Sequence, residues 1–397
     1  MATLTFLQAR ECVLQKVSQA RSPLDSQQVE LLDAAGRVIA EPVSADRDYP
    51  PVARSVRDGF AIRAADLPGE LYLIGEVRAG ESFHGEVAPG QAVEIMTGAP
   101  VPRGADSVIM IEHVVVNGEK VRTDRSIRPG ENVNPQGSEA HRGAVLIEPG
   151  RRLTFADIAL LAMVGRSRVS VYRRPEVAIL PTGDEIVEVE KTPLEYQIRN
   201  SNSFSLAAQV SRAGAIPRML AVAPDTYQAT RELIEHGLRF DLLLLSGGVS
   251  AGKYDLVERV LGDLGAEFYF DRVLIQPGQP LVFGRARDKF FFGLPGNPAS
   301  TMVTCEIFAR AAIELLSGQA EISLPILRSR LTRDFRHKTG LTRFLPAHVS
   351  ADGSEVTPAP WSGSGDIPAL ARANAFLVTE PDRESWNSGD LIQVLMK

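Results

Sequence analysis

"DLLLLSGGVSAGKYDLV", residues 241–257, passes from a run of four leucines into glycines and serines, then into a charged segment with helical spacing. A short, wholly apolar strand of this kind is buried on both faces, the condition of a parallel sheet covered by helices. The flanking sequence repeats the pattern. EVAIL (176–180) precedes SNSFSLAAQVSRAG (201–214), IPRMLAV (216–222) precedes TYQATRELIEHGL (226–238), and KFFFGLPG (289–296) precedes NPASTMVTCEIFARAAIELLSG (297–318). Apolar strands alternating with amphipathic helices predict a doubly wound α/β domain over residues 174–320. In such sheets ligands bind beyond the carboxyl ends of the strands, where the chain switches direction.

Outward from this domain the pattern changes. Thr5 and Gln8 have capping-box spacing, and Phe6, Ala9, Val13 and Val17 recur at helical intervals, so the chain opens on an amphipathic helix. SQQVELLDAAGRVIA (26–40) predicts a second short helix ending near Gly36, before DRDYPPVARS (46–55) breaks the pattern with paired prolines. Short strand-like pieces then follow: LYLIGEV (71–77), AVEIM (92–96) and SVIMIEHVVV (107–116). TFADIALLAMVG (154–165) returns to helical spacing, and RFLPAHV (343–349) and DLIQVLM (390–396) indicate a terminal β unit. The expected organisation is multidomain α/β and β: a helical linking part over 1–45, an inserted β-rich domain over 46–143, a return of the linking part over 144–173, the α/β domain, and a small C-terminal β domain over 321–397.

Composition narrows the function. At 397 residues, with 44% hydrophobic and 23% charged, the chain has the balance of a folded globular protein. A net charge of −6 argues against a general nucleic-acid surface, which needs a basic face. Cys12 and Cys305 stand far apart without metal or disulfide spacing, which fits a reducing, cytoplasmic compartment. No signal peptide or membrane span is read in the apolar pattern. The six histidines, His84, His113, His141, His236, His337 and His348, lack ligand spacing and receive no chemistry.

Three strand ends carry unusual residues. PTGDE supplies Thr182, Gly183, Asp184 and Glu185; SGGVSAGKYD supplies Ser246, Gly247, Gly248, Ser250 and Asp255; LPGNP supplies Pro295, Gly296, Asn297 and Pro298. Glycines allow close backbone approach, and free amides before a helix hold phosphate or another oxyanion. Each loop alone also reads as a strand-to-helix turn capped by Ser or Asn; three in one sheet favour a common pocket. Asp184, Glu185, Asp225 and Asp255 follow strands of the same sheet, and carboxylates beside a phosphate loop recruit a hard cation, for which Mg²⁺ is the natural choice. The bland alternative has Asp225 capping the helix that begins near Thr226 and Asp255 in the first turn of its own helix. Ser246 and Ser250 have no base and acid for a nucleophilic triad.

In order along the chain, VELLDAAGRVIAEPV (29–43), DGFAI (58–62), RAGE (78–81), PGQAVEIMTGAPVPRGADSVIMIE (89–112), ENVNPQG (131–137), LPTGDEIV (180–187), IRNSNS (198–203), SGGVSAGKYDLVERVL (246–261), IQPGQPLVFG (275–284) and GLPGNPAST (293–301) resemble the molybdopterin molybdenumtransferase family, which includes MoeA and the E domain of gephyrin. The resemblance implies a molybdopterin-binding α/β domain and an enzyme that takes adenylylated molybdopterin and molybdate, uses Mg²⁺, and releases AMP as molybdenum is inserted. It also implies a homodimer with a shared active cleft, and transient contacts with the molybdopterin adenylyltransferase and with molybdoenzyme chaperones. Carried over residue by residue, Asp58, Thr97, Glu185 and Asp255 match catalytic positions. Glu185, Asp225 and Asp255 match the family's functional acids and with Asp184 make up the expected metal-binding set; Pro295 and Pro298 match the loop beside the pterin, and Arg343 and Ser364 the molybdate-binding positions.

The sequence departs from the family pattern at several points. Gln276 and Gln279 stand where lysines are common, Ala53 and Lys253 replace acids, and Glu139 occupies another acid's place. A neutral amide donates a weaker hydrogen bond to an oxyanion than a lysine does. These losses motivate one alternative, a molybdopterin-binding or scaffold protein without turnover. The shared pterin-binding domain motivates another, a related pterin adenylyltransferase, against which the β insertion and the C-terminal β unit count.

Overall fold

A computed structural model of the chain describes residues 3–20, 25–248 and 256–397. Ser250, Lys253 and Asp255 fall outside them. The chain divides into two compact units.

The first unit comprises residues 1–40, 149–154 and 169–397. Its centre is a seven-stranded sheet in the order Thr3–Leu4, Glu267–Val273, Pro280–Ala286, Lys289–Leu294, Leu242–Ser246, Glu176–Pro181, Ile216–Met219. The last four are parallel neighbours. The strand Pro280–Ala286 runs antiparallel to both of its neighbours, so the expected parallel sheet is extended by an antiparallel pair. Both faces are covered, as the leucine run requires. Leu242 and Leu244 enter one core cluster with Phe283, Phe292 and Phe308, whereas Leu243 and Leu245 enter another with Val257, Val260 and Phe291. Alternate side chains of one strand therefore bury into opposite layers.

Predicted helices recur at Phe6–Gln19, Ser201–Arg212, Tyr227–Gly237 and Leu256–Asp263. The first carries the capping box in full: Thr5 Oγ1 accepts from the Gln8 amide at 3.4 Å, and the Thr5 amide donates to Gln8 Oε1 at 3.0 Å. The expectation of a helix over 26–40 is corrected. Ser26–Glu30 is a strand paired with Arg168–Tyr172, and only Leu31–Ala34 makes a short 3₁₀ turn. The long segment after Pro298 is helical to Leu316, interrupted by a π turn over Cys305–Ala309. Near the carboxyl end of the chain a six-stranded sheet encloses Ala347, Leu377, Trp386 and Val394.

The second unit comprises residues 41–148 and 155–168. Its six-stranded sheet has the order Ser107–Met110, Gly59–Ile62, Gln91–Ile95, Gly69–Val77, Lys120–Thr123, Val115–Asn117. Phe60, Ile62 and Ile109 pack on one side, and Ala61, Val93 and Val108 on the other. The predicted helix occurs at Phe155–Met163.

Candidate functional site

The four parallel strands place the second beside the first and the third on the first's other side, so the chain reverses its direction of addition between Glu176–Pro181 and Leu242–Ser246. Loops leaving those two strands diverge at a switch point, where a crevice opens. A cleft of about 500 Å³ lies there, lined by Thr182, Gly183, Glu185, Asn200, Asn202, Asp225, Ser246, Gly247, Gly248, Pro295, Gly296, Asn297 and Pro298, among others. The three loops singled out in the sequence thus meet in one pocket.

The glycines contribute space more than amides. The Gly247 amide donates to the Leu294 carbonyl and the Gly183 amide to Ala223, at 3.2 and 3.1 Å. Gly247 and Gly248 have φ of +94° and +65°, and a Cβ on them would lie 2.8 Å from the Thr182 carbonyl oxygen and Thr182 Oγ1 respectively. Glycine alone tolerates such a conformation so close to the Thr182 backbone at Gly247 and to the Thr182 and Val257 side chains at Gly248. The loop before Pro298 offers an anion few amides either: Pro298 has no N–H and the Ala299 amide donates to the Ser364 carbonyl at 2.9 Å, which leaves the Asn297 side chain, unbonded at the N-cap, as the loop's polar group.

Asn202, absent from the sequence-based site, ties two of the loops together. Its Nδ2 donates to Ser246 Oγ at 2.9 Å and to the Gly296 carbonyl at 2.8 Å. IRNSNS was the available signal, since Asn200 caps the helix by accepting from the Ser203 amide at 3.1 Å, which fixes Asn202 in its first turn.

Of the acids, Glu185 and Asp225 line the cleft. Asp184 accepts the Asp225 amide at 3.0 Å. Asp225 does not cap the following helix; Thr226 holds the N-cap position, so that alternative is corrected. Among the described residues no group of three His, Cys, Asp or Glu side chains is placed to hold a metal ion.

A second hollow, of about 340 Å³, shares Pro280, Pro295 and Asn297 with the cleft and is lined by Gln276, Gln279, Trp361 and Ser364, among others. Arg343 lies behind it, 4% exposed. Its Nε donates to Gln276 Oε1 at 2.9 Å, and its Nη1 donates to the carbonyls of Lys338 and Leu341. Burial lowers the guanidinium's proton affinity from its ordinary value. Gln276 is therefore an acceptor for Arg343, a role a lysine could not fill.

Asp58 and Thr97 belong to the second unit. Asp58 Oδ1 accepts from the Thr97 amide at 2.6 Å and from Thr97 Oγ1 at 2.8 Å. The backbone bond first, then the hydroxyl, holds the Asp58 carboxyl below its usual range. Thr97 lines a hollow of about 570 Å³ with Arg47, Tyr49, Arg54, Asn134 and Glu139, among others.

Comparison with known proteins covers the chain in three stretches. Residues 4–165 match the MoeA N-terminal region (domain I and II), residues 178–315 a probable molybdopterin binding domain, and residues 328–397 the MoeA C-terminal region (domain IV). A molybdopterin molybdenumtransferase of Bacillus subtilis (strain 168) is 35% identical over 388 residues, covering 94% of this chain and 90% of that protein. One from Haemophilus influenzae is 33% identical, covering 98% of both. Among solved structures, a molybdopterin biosynthesis moeA protein from Pyrococcus horikoshii OT3 superposes over the full length of both chains with a TM-score of 0.82 at 27% identity.

Proposed function

The chain belongs to the MoeA family of molybdopterin molybdenumtransferases, and from that premise we propose that it completes the molybdenum cofactor, inserting molybdenum from molybdate into adenylylated molybdopterin with release of AMP. The observation that carries this reading is the cleft at the switch point and the smaller hollow that adjoins it. One is walled by glycine loops and two carboxylates, the other by Gln276, Gln279 and Ser364.

In this reading the larger cleft takes the molybdopterin and the smaller hollow takes molybdate. The loop 295–298 offers a phosphate the side-chain amide of Asn297, which makes no cap hydrogen bond of its own. Ser364 Oγ and the side-chain amides of Gln276 and Gln279 can donate to a tetrahedral dianion, while Arg343 adds positive charge through Gln276. The Thr97 hydroxyl hydrogen is committed to Asp58, which leaves its oxygen as an acceptor.

Glu185 and Asp225 offer hard oxygen donors in the cleft, and Mg²⁺ commonly takes one or two carboxylates and completes its shell with water and substrate phosphates. A bound Mg²⁺ would neutralise charge on the phosphoanhydride as AMP departs. Asp184 and Asp255 remain part of the proposed acid set, with Asp184 orienting the Asp225 backbone. The homodimer with a shared cleft, the cytoplasmic location and the transient contacts with the adenylyltransferase and chaperones belong to the same proposal. No helix among the described residues is long and apolar enough to cross a membrane.

The test is AMP release from adenylylated molybdopterin by the purified protein, with and without molybdate and Mg²⁺, scored beside formation of active cofactor. Release that needs both ions and yields active cofactor is the expected result. Tight pterin binding without turnover, against a working control enzyme, would overturn it. Glu185→Ala is expected to lower turnover at least ~100-fold, as loss of a group stabilising developing charge does, with an unchanged unfolding midpoint.

A further inference from the structure

Two residues that line the larger cleft each carry a buried side-chain atom without a hydrogen-bond partner among the described residues: Asn202 Oδ1 and Thr182 Oγ1. Asn202 is 9% exposed and Thr182 5%, and both line the cleft. Leaving a buried polar atom unpaired carries the full desolvation cost of that atom, so each such atom calls for a partner, a water, an ion or a ligand.

The orientation of the Asn202 amide follows from its neighbours. The Gly296 carbonyl can only accept, so the NH₂ group must face it, and the oxygen is left as the free end. That oxygen is a pure acceptor. A phosphate or molybdate oxygen brought against it would place two acceptors together, whereas an N–H would satisfy it. Beside it, Thr182 Oγ1 can donate or accept. It lies in space that a Cβ on Gly248 would invade.

We infer that Asn202 is a specificity-determining residue that accepts a hydrogen bond from the amino or lactam N–H edge of the pterin ring, with the Thr182 hydroxyl supplying the complementary contact. The inference rests on the reading that this cleft takes molybdopterin, and it adds which end of the ligand faces Asn202. The anionic end is left to the loop 295–298. A site that hydrogen-bonds a ligand N–H rejects an analogue lacking it far more strongly than an apolar pocket rejects a change in size.

The experiment measures binding by calorimetry of 6-hydroxymethylpterin, its 3-methyl-2-dimethylamino derivative, and AMP to the full chain and to Asn202→Ala. The wild-type chain is expected to bind the pterin at least ~10-fold more tightly than the derivative, and Asn202→Ala to reduce that ratio to ~2 or less while AMP affinity stays within ~2-fold. Equal binding of pterin and derivative by the wild-type chain overturns the inference without any variant, as does a ratio unchanged in Asn202→Ala. A parallel loss of pterin and AMP affinity also overturns it, because Asn202 would then only hold the loops. No binding of either pterin or of molybdopterin itself by the wild-type chain would overturn the cleft assignment beneath it, an outcome distinct from the others.

Discussion

Gly248 illustrates how little room the cleft leaves. A methyl group there would meet Thr182 Oγ1 at 2.8 Å and Val257 Cγ2 at 2.9 Å, on a backbone with φ of +65°. We predict that Gly248→Ala costs about 1–2 kcal/mol from the left-handed conformation alone, read as a lower denaturant midpoint, and weakens pterin binding. Asp58 offers a titration test. Its carboxyl is held low, so the stabilisation it provides is present above the unfolded value and is lost as pH falls through the lower folded value. Thr97→Val removes the hydroxyl donor but keeps the amide, and the Asp58 carboxyl should move part of the way back toward the usual range. A pH titration of the carboxyl by NMR that shows no upward movement would count against the hydroxyl's contribution. At this scale the sequence made glycines and acids legible because their chemistry is tied to residue type. Asn202 escaped because its importance lies in what it leaves unpaired, which no residue type announces. Gln276 was legible only as a lost charge, since its bond to Arg343 joins strands separated in the chain.

The π turn at Cys305–Ala309 carries a buried acid. Glu306 is 3% exposed and meets Arg212 and Arg310, while Gln209 donates to its Oε2 at 3.4 Å. Removing one partner strands the others, so Glu306→Ala is predicted to destabilise the first unit by about 3 kcal/mol, the low end for a broken buried pair because Arg212 can turn to water. Equilibrium unfolding should show it, and a loss below about 1 kcal/mol would contradict the account. Helices were the most legible elements, since caps and apolar spacing are local: the capping box at Thr5 stands in the structure as the sequence implied. Ser26–Glu30 was misread because QQVELLDAA is rich in good helix formers, and its strand pairing comes from residues some distance away at Arg168–Tyr172. The antiparallel extension of the sheet was illegible for the same reason, as strand direction depends on the partner and not on the strand's own composition.

For the whole molecule, both tryptophans, Trp361 and Trp386, lie in the first unit. The cores of the second unit draw on separate residues, Phe60 to Val121 on one side of its sheet and Ala61 to Val108 on the other. Each unit therefore has its own buried apolar clusters, and two-state behaviour is not expected of such a chain. We predict that far-ultraviolet circular dichroism detects a transition of the second unit that tryptophan fluorescence does not follow. Coincident curves from the two probes would instead mean that the units unfold together.

The edge strand Thr3–Leu4 pairs with Arg272 and Val273, and the helix that follows it packs Phe6 against Phe308 and Phe344. On the ribosome that strand emerges about 270 residues ahead of its partner, a delay on the order of tens of seconds at ~5–20 residues per second. The second unit can close within that interval, because all of its residues lie before position 169. Through the wait, Phe6, Ala9, Val13 and Val17 present an uncovered apolar stripe on the nascent chain. A chaperone that binds apolar stripes would find this one early, and slowing elongation would lengthen the exposure without changing anything in the finished protein.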